Sequence, residues 1–257
     1  MKNLNAHSVR PRSVAKETEA GFARCSGGVV GAEPLLKSVI FDMDGVLIDS
    51  QPLHYQIDIR VIQACGYPAD LDTVTPYTGI SNQDRWPKYR EELNLSPSPE
   101  QLIEMAEQAM RDIFNETKLV ASPGIPALLK GIKEMGLHCG VASASSHELI
   151  QLVLNRTGIA QYFDAITSGE DVSVSKPAPD VYLRAAGKAG YPPAQCIAVE
   201  DAPVGILAAK NAGFTCIAYK NPNTFGQDFT FADHVIDHFD QCLPIIRNLG
   251  GSTPLSI

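Results

Sequence analysis

Two aspartates at a spacing of two, Asp42 and Asp44, follow directly on the apolar run Val39-Ile40-Phe41 and are themselves followed by Gly45. A short run of β-branched and aromatic residues suits a strand buried in a parallel sheet. Carboxylates delivered past the end of such a strand lie where open α/β sheets bind ligands. If strand geometry continues through the pair, both side chains share one side of the backbone, and Gly45 permits a sharp turn at positive φ. A plain turn would use the same residues. A calcium loop would not, because Val46-Leu47-Ile48 supplies none of the further oxygen ligands it needs. Three later points carry reactive types: Ser143, Lys176, and the pair Glu200-Asp201. Singly, each has an ordinary structural use: a helix cap for Ser143, a solvated loop cation for Lys176, and acids at a helix N-terminus for Glu200 and Asp201. Jointly, acids at two strand ends can hold a hard cation through oxygen ligands. A lysine and a hydroxyl with nearby backbone N–H groups can bind the oxygens of an anion.

The elements that must position these groups are legible as alternation. Strand-like runs fall at 38–41, 138–143, 163–167, 196–201 and 215–219, with 234–236 as a sixth. Helical spacing of apolar residues follows Pro52 (Leu53, Ile57, Val61, Ile62) and recurs at 84–94, 99–115, 128–135, 147–156, 180–189 and 205–212. Strands alternating with helices predict a doubly wound parallel sheet, a Rossmann-like α/β core. Residues 51–118 hold no strand-like run and are expected to form an inserted helical cap. The core is then 37–50 with 119–257, and residues 1–36, which show no clear period, are expected to be a disordered or weakly ordered tail. That tail lacks the apolar core of a signal peptide and carries Glu17, Glu19 and Glu33, which argue against a transit peptide.

The chain has 257 residues, a formal net charge of −8 and a sequence pI near 5.2. This balance argues against nucleic acid or an anionic membrane as partner, and no apolar run has the length of a membrane span. An anionic substrate must be attracted locally. The six cysteines, Cys25, Cys65, Cys139, Cys196, Cys216 and Cys242, form no Cys-x-x-Cys pair, which argues against zinc. Cys139, Cys196 and Cys216 fall in strand-like runs, as buried small hydrophobes do. Reduced thiols point to a cytoplasmic protein, and the expectation is a monomer.

The segment Phe41-Asp42-Met43-Asp44-Gly45-Val46-Leu47-Ile48-Asp49-Ser50 resembles the first motif of the haloacid dehalogenase-like phosphohydrolases. Ser143, Lys176 and Glu200-Asp201 match the family's later motifs in order, and the resemblance runs from about Lys37 to Phe239. It implies a phosphatase that works through a phosphoaspartate with Mg²⁺ as cofactor. Asp42 would be the nucleophile and a magnesium ligand. Asp44 would be the general acid/base and lend the metal its backbone carbonyl. Ser143 and the Ala144 amide would bind phosphate, and Lys176 would neutralise the transferring group and Asp42. Asp201 would be a magnesium ligand, with Glu200 a ligand or its support. The family's dehalogenases lack the second acid, so Asp44 favours phosphoryl chemistry.

The helical insert resembles the small cap of the family's first subclass, and Asp49-Ser50-x-Pro-Leu-His54 is similar to the core-to-cap segment of the β-phosphoglucomutase-like branch. His54 is either a neighbour of Asp44 or a plain helix-face residue. Thr78-Gly79-Ile80-Ser81-Asn82 resembles that branch's cap loop, which makes Ser81 and Asn82 candidate substrate contacts. The mutases carry an arginine where this chain has Asn82; Arg85, one turn on, either substitutes for it or faces solvent. They also favour a Lys-Asn pair where this chain has Ser146-His147. Both departures favour a phosphatase acting on a small phosphorylated metabolite, such as a sugar phosphate, over a mutase. Lys88 and Lys118 lie in no motif matching the Schiff-base lysine of the phosphonate-cleaving branch. A non-catalytic binding or regulatory protein that retains the fold is the alternative of another class.

Overall fold

The structure, a computed structural model, describes residues 36–250 apart from 79 and 225. The expectation for the N-terminal tail and Cys25 lie outside the described residues. Strand β1 (Ser38–Phe41) leads into α1 (Gln51–Ala64), a short α2 (Leu71–Val74), α3 (Asn82–Glu92) and α4 (Pro99–Glu116). Then follow α5 (Ile125–Glu134), β2 (His138–Ala142), α6 (His147–Arg156), β3 (Ala165–Thr167), α7 (Asp180–Ala189) and β4 (Cys196–Glu200). After β4 come α8 (Pro203–Asn211), β5 (Thr215–Tyr219), β6 (His234–Ile236) and α9 (Cys242–Leu249).

The six strands among the described residues are all parallel, in the order β3-β2-β1-β4-β5-β6. This is the doubly wound α/β fold expected from the alternation. Phe41 is level with Val141 on one side and Val199 on the other, so the carboxyl ends of β2, β1 and β4 are flush. The winding reverses at β1, and a crevice opens beyond the strand ends at such a point. The apolar run splits by period two: Val39 and Phe41 join the core on one face of the sheet, Ile40 the core on the other. The second core is rich in alanine (Ala185, Ala186, Ala208, Ala209), which lets α7 and α8 lie close to the sheet. Cys139, Cys196, Cys216 and Cys242 are buried free thiols.

Between β1 and α5 the described elements are helices, with no strand. Helices α1 and α4 are long enough to pair along their apolar sides, burying Leu53, Ile57 and Val61 of one and Leu102, Ala106 and Ile113 of the other. Helix α4 starts where the sequence predicts: Ser98 and Gln101 form a reciprocal capping box ahead of Pro99. Helix α3 starts two residues earlier than predicted because the Ser81 hydroxyl accepts from the Asp84 N–H and caps it. Arg156, at the end of α6, donates to the carbonyls of Asn115 and Thr117 at 2.7 and 3.3 Å, gripping the chain as it leaves α4. Among the described residues no helix is long and apolar enough to cross a membrane.

Candidate active site

Beyond Phe41 the backbone N–H of Asp42 still bonds to the Val199 carbonyl, 2.9 Å away, so Asp42 extends the strand ladder by one residue. The chain then folds over itself. Gly45 takes φ +78°, its N–H donates to the Ile48 carbonyl, and Val46, Leu47 and Ile48 turn into the core. Gly45 is required twice over. Its φ is left-handed, and a β-carbon there would lie 2.1 Å from Asp201 Oδ2.

Asp42, Glu200 and Asp201 are buried, and one oxygen from each lies within 4.8 Å of the others. Lys176 reaches in from its loop, Nζ lying 2.6 Å from Asp42 Oδ1 and 2.6 Å from Glu200 Oε1. Glu200 is otherwise saturated: Tyr182 donates its hydroxyl to Oε1 at 2.8 Å, and the Asp201 and Ala202 N–H groups donate to Oε2. It packs against the first turn of α8, where Gly205 leaves room that a β-carbon, 1.9 Å from Oε1, would fill. Asp201 keeps an oxygen free, its Oδ2 accepting from Thr224 at 3.2 Å.

Three buried carboxylates against one ammonium leave negative charge uncompensated in a poorly solvated place, which is costly. The direction of the pKa shifts follows from it. Burial, with the Glu200 and Asp44 charges, pushes Asp42 up to about 7 despite Lys176. Burial and the charges of Glu200 and Asp42 push Asp201 well above the carboxylate range. Burial would lower Lys176, but Asp42 and Glu200 outweigh it and hold the ammonium charged. An oxygen-rich, over-negative pocket fits a hard divalent cation. Since Lys176, Tyr182 and two N–H groups occupy Glu200, Asp42 and Asp201 are the better placed to ligate.

Asp44 faces a different set of partners. Ser145 Oγ donates to its Oδ2 at 3.0 Å, and His54 Nε2 stands 3.7 Å from its Oδ1, which is buried without a hydrogen-bond partner among the described residues. Burial pushes the Asp44 carboxyl up, but His54 together with the Ser50 and Ser145 hydroxyls holds it below its ordinary value. Of the two readings of His54, the structure thus places it beside Asp44. Ser143 is buried at the end of β2, its Oγ accepting from the Ser145 N–H, and Ala144 follows it at the surface.

The cap-side candidates divide. Asn82 lines a cavity with His54, Arg85 and Glu107. Ser81 spends its hydroxyl on capping α3. Arg85 neither faces solvent nor stands free, because its Nε lies 3.1 Å from Asp58 Oδ2. Sequence reasoning missed Tyr182, Gly205, Ser145 and the loop after β5. In that loop Asn221 donates to the Gly45 carbonyl, Gln227 to the Asp201 carbonyl, and Thr224 to Asp201. Its position at a fifth strand end was the one available signal.

A family model described as haloacid dehalogenase-like hydrolase matches residues 39–219. Hexitol phosphatase B of Escherichia coli (strain K12) is 34% identical over 189 residues, 72% of this chain and 84% of that protein. The crystal structure of CbbY from Rhodobacter sphaeroides in complex with phosphate superposes with a TM-score of 0.68 at 26% identity, covering 79% of this chain and 95% of that one. The β-phosphoglucomutase from Clostridium difficile gives a TM-score of 0.68 at 28% identity, over 84% and 97% of the two chains. With one family model spanning β1 to β5 and acids, lysine and hydroxyl gathered at the ends of those strands, this enzyme belongs to the haloacid dehalogenase-like hydrolases.

Proposed function

We propose that the protein is a Mg²⁺-dependent phosphatase of a small phosphorylated metabolite of the sugar-phosphate class, working through a phosphoaspartate on Asp42. The observation that carries this reading is the pairing of Asp42 with Lys176 at 2.6 Å, with Asp44 held apart in its own hydrogen-bond set. Two carboxylates in different surroundings take different roles. The free oxygen of Asp42 attacks phosphorus, forming the phosphoaspartyl bond as the ester oxygen leaves. The monoanionic ester brings the proton that Asp44 passes to that oxygen; Asp44 then takes a proton from the water that attacks the phosphoaspartate and releases inorganic phosphate. Ser143 and the Ala144 N–H bind the phosphoryl oxygens, and Lys176 favours the ionised form of Asp42 and orients it. Mg²⁺, held by Asp42, Asp201 and the Asp44 carbonyl with Glu200 in support, would neutralise the negative charge of phosphate and carboxylates.

Hexitol phosphatase B, by its name a phosphatase of phosphorylated polyols, supports the substrate class. The likeness to a β-phosphoglucomutase keeps the mutase as the second reading. Against it, a mutase must hold two phosphates in turn, and Asn82 offers no charge while Arg85 is already paired. The test is inorganic phosphate release from a panel of phosphorylated metabolites. The mutase reading replaces ours if β-glucose 1-phosphate and glucose 6-phosphate interconvert rapidly with negligible phosphate release.

A further inference from the structure

Ser145 bonds at once to the end of β2 and to the second aspartate. Its N–H donates to Ser143 Oγ at 3.1 Å, and its own Oγ donates to Asp44 Oδ2 at 3.0 Å. Its remaining polar group, the carbonyl, is held from outside this set. Two donors from the segment after β3 reach it: Ser168 Oγ at 2.7 Å and the Gly169 N–H at 3.3 Å.

The sequence Ser168-Gly169-Glu170-Asp171 folds that segment locally. Ser168 and Asp171 form a reciprocal capping box around the single 3₁₀ turn Gly169–Asp171, the Ser168 N–H donating to Asp171 Oδ2 at 3.1 Å. The Ser168 hydroxyl accepts from the Glu170 N–H at 3.0 Å, which leaves its proton for the Ser145 carbonyl. Ser168 is 0% exposed, so water does not stand in for that hydroxyl if it is lost. Glu170 accepts from the His147 N–H at 3.0 Å and so fastens the first residue of α6 to the same turn. Gly169 lets the two segments approach. A β-carbon there would lie 2.4 Å from the Ala144 carbonyl oxygen and 3.0 Å from its carbon. Those are backbone atoms, which cannot rotate aside as a side chain can.

We infer that Ser168 and Gly169 are positioning residues for the reaction: through Ser145 and Ala144 they fix the phosphate-binding turn against Asp44. The proton on Asp44 then meets the ester oxygen of a phosphoryl group that is already held. The inference rests on the phosphatase reading above.

The test measures kcat/KM for phosphate release from a sugar monophosphate and from an aryl phosphate. That parameter covers the steps up to departure of the leaving group, which acid assists strongly for the sugar and little for the aryl group. Ser168→Ala removes the shorter hydrogen bond to Ser145. It should lower the sugar value about tenfold or more and the aryl value clearly less, because alignment of Asp44 is only partly lost. Gly169→Ala displaces Ala144 and should lower both values about 10²-fold, with weaker inhibition by inorganic phosphate. Lys133→Met is the control for stability. It loses an ion pair with Asp164 at 2.7 Å, at the opposite end of β3, and should lower the melting temperature while leaving both values unchanged. Ser168→Ala that changes neither ester, or lowers both by one factor, overturns the coupling to Asp44. Gly169→Ala with unaltered inhibition by phosphate overturns the hold on the phosphate-binding turn. Gly169 is half-buried, and its variant decides alone if Ser168→Ala fails to fold. No hydrolysis of any ester by the unaltered protein overturns the phosphatase reading itself, and the inference with it.

Discussion

Asp42 and Asp44 are two residues apart, yet a lysine bonds one and a serine the other. That difference makes their substitutions separable. Asp42→Asn removes the attacking oxygen, so neither turnover nor a covalent intermediate is expected. Asp44→Asn leaves the nucleophile in place and removes the proton donor and acceptor, typically about 10²–10⁴-fold in rate. An aryl or acyl phosphate needs little help in leaving, so phosphoaspartate should build up in Asp44→Asn and not in Asp42→Asn. Mass spectrometry after an acid quench reads the added phosphoryl group and its position; finding it elsewhere than Asp42 would reassign the nucleophile. These residues were readable in the sequence because acids at strand ends announce themselves by type and place. Tyr182 was not. On a helix face beside Val181 it looks like ordinary core, and only the fold, which carries α7 across the sheet to Glu200, gives its hydroxyl a task.

At the scale of elements, loops hold the strand-end groups in register, and two positions expose this to test. Gly45→Ala would place a methyl group 2.1 Å from Asp201 Oδ2 in a left-handed backbone. The conformation alone costs about 1–2 kcal/mol. Displacing Asp201 by even an ångström should cost about 10²-fold in kcat, read by steady-state kinetics beside a thermal melt. The second position is Asp171, which ties the turn after β3 to two helices. It accepts from Lys188 and the Ser168 N–H and lies 3.1 Å from His147 Nε2. The hydrogen bond from Lys188, then those from His147 and Ser168, hold its carboxyl well below the usual range. A depressed folded-state value means stability that is present above the unfolded value and lost as acid protonates the folded form. Asp171→Asn should therefore cost about 1–2 kcal/mol at neutral pH, and the gap from the unaltered protein should close as pH falls below about 4. A constant difference across pH would mean that packing, not charge, is at work there. The strands and long helices that carry these loops were legible from periodicity. The loops' contacts were not, since Gly205, Thr224 and Gln227 act only on what the fold brings beside them.

The whole molecule, acidic overall, concentrates three buried carboxylates around one ammonium. A divalent ion bound there is bound by the folded state alone, so Mg²⁺ should raise the melting temperature, by the equivalent of about 2.7 kcal/mol at a hundredfold excess over Kd. Chelator should abolish turnover and Mg²⁺ restore it. Ca²⁺ should raise the melting temperature as well yet fail to support turnover, because its larger, looser shell misplaces the nucleophile. Full activity in excess chelator would remove the metal from the reading.

The position of β1 in the sheet also sets an order in time. It is the first described strand in sequence, yet its partners begin only at His138 and Cys196. At ribosomal speeds of about 5–20 residues per second, the gap of about a hundred residues to the first partner takes roughly 5–20 s. Throughout that interval the apolar run Val39, Ile40 and Phe41 has no strand to pair with. The helices α1 to α4, made of contacts local in sequence, are what the nascent chain can fold meanwhile. Newborn chains should thus depend on chaperones most before β2 emerges, and catalytic competence should arrive only once Glu200 and Asp201 have left the ribosome.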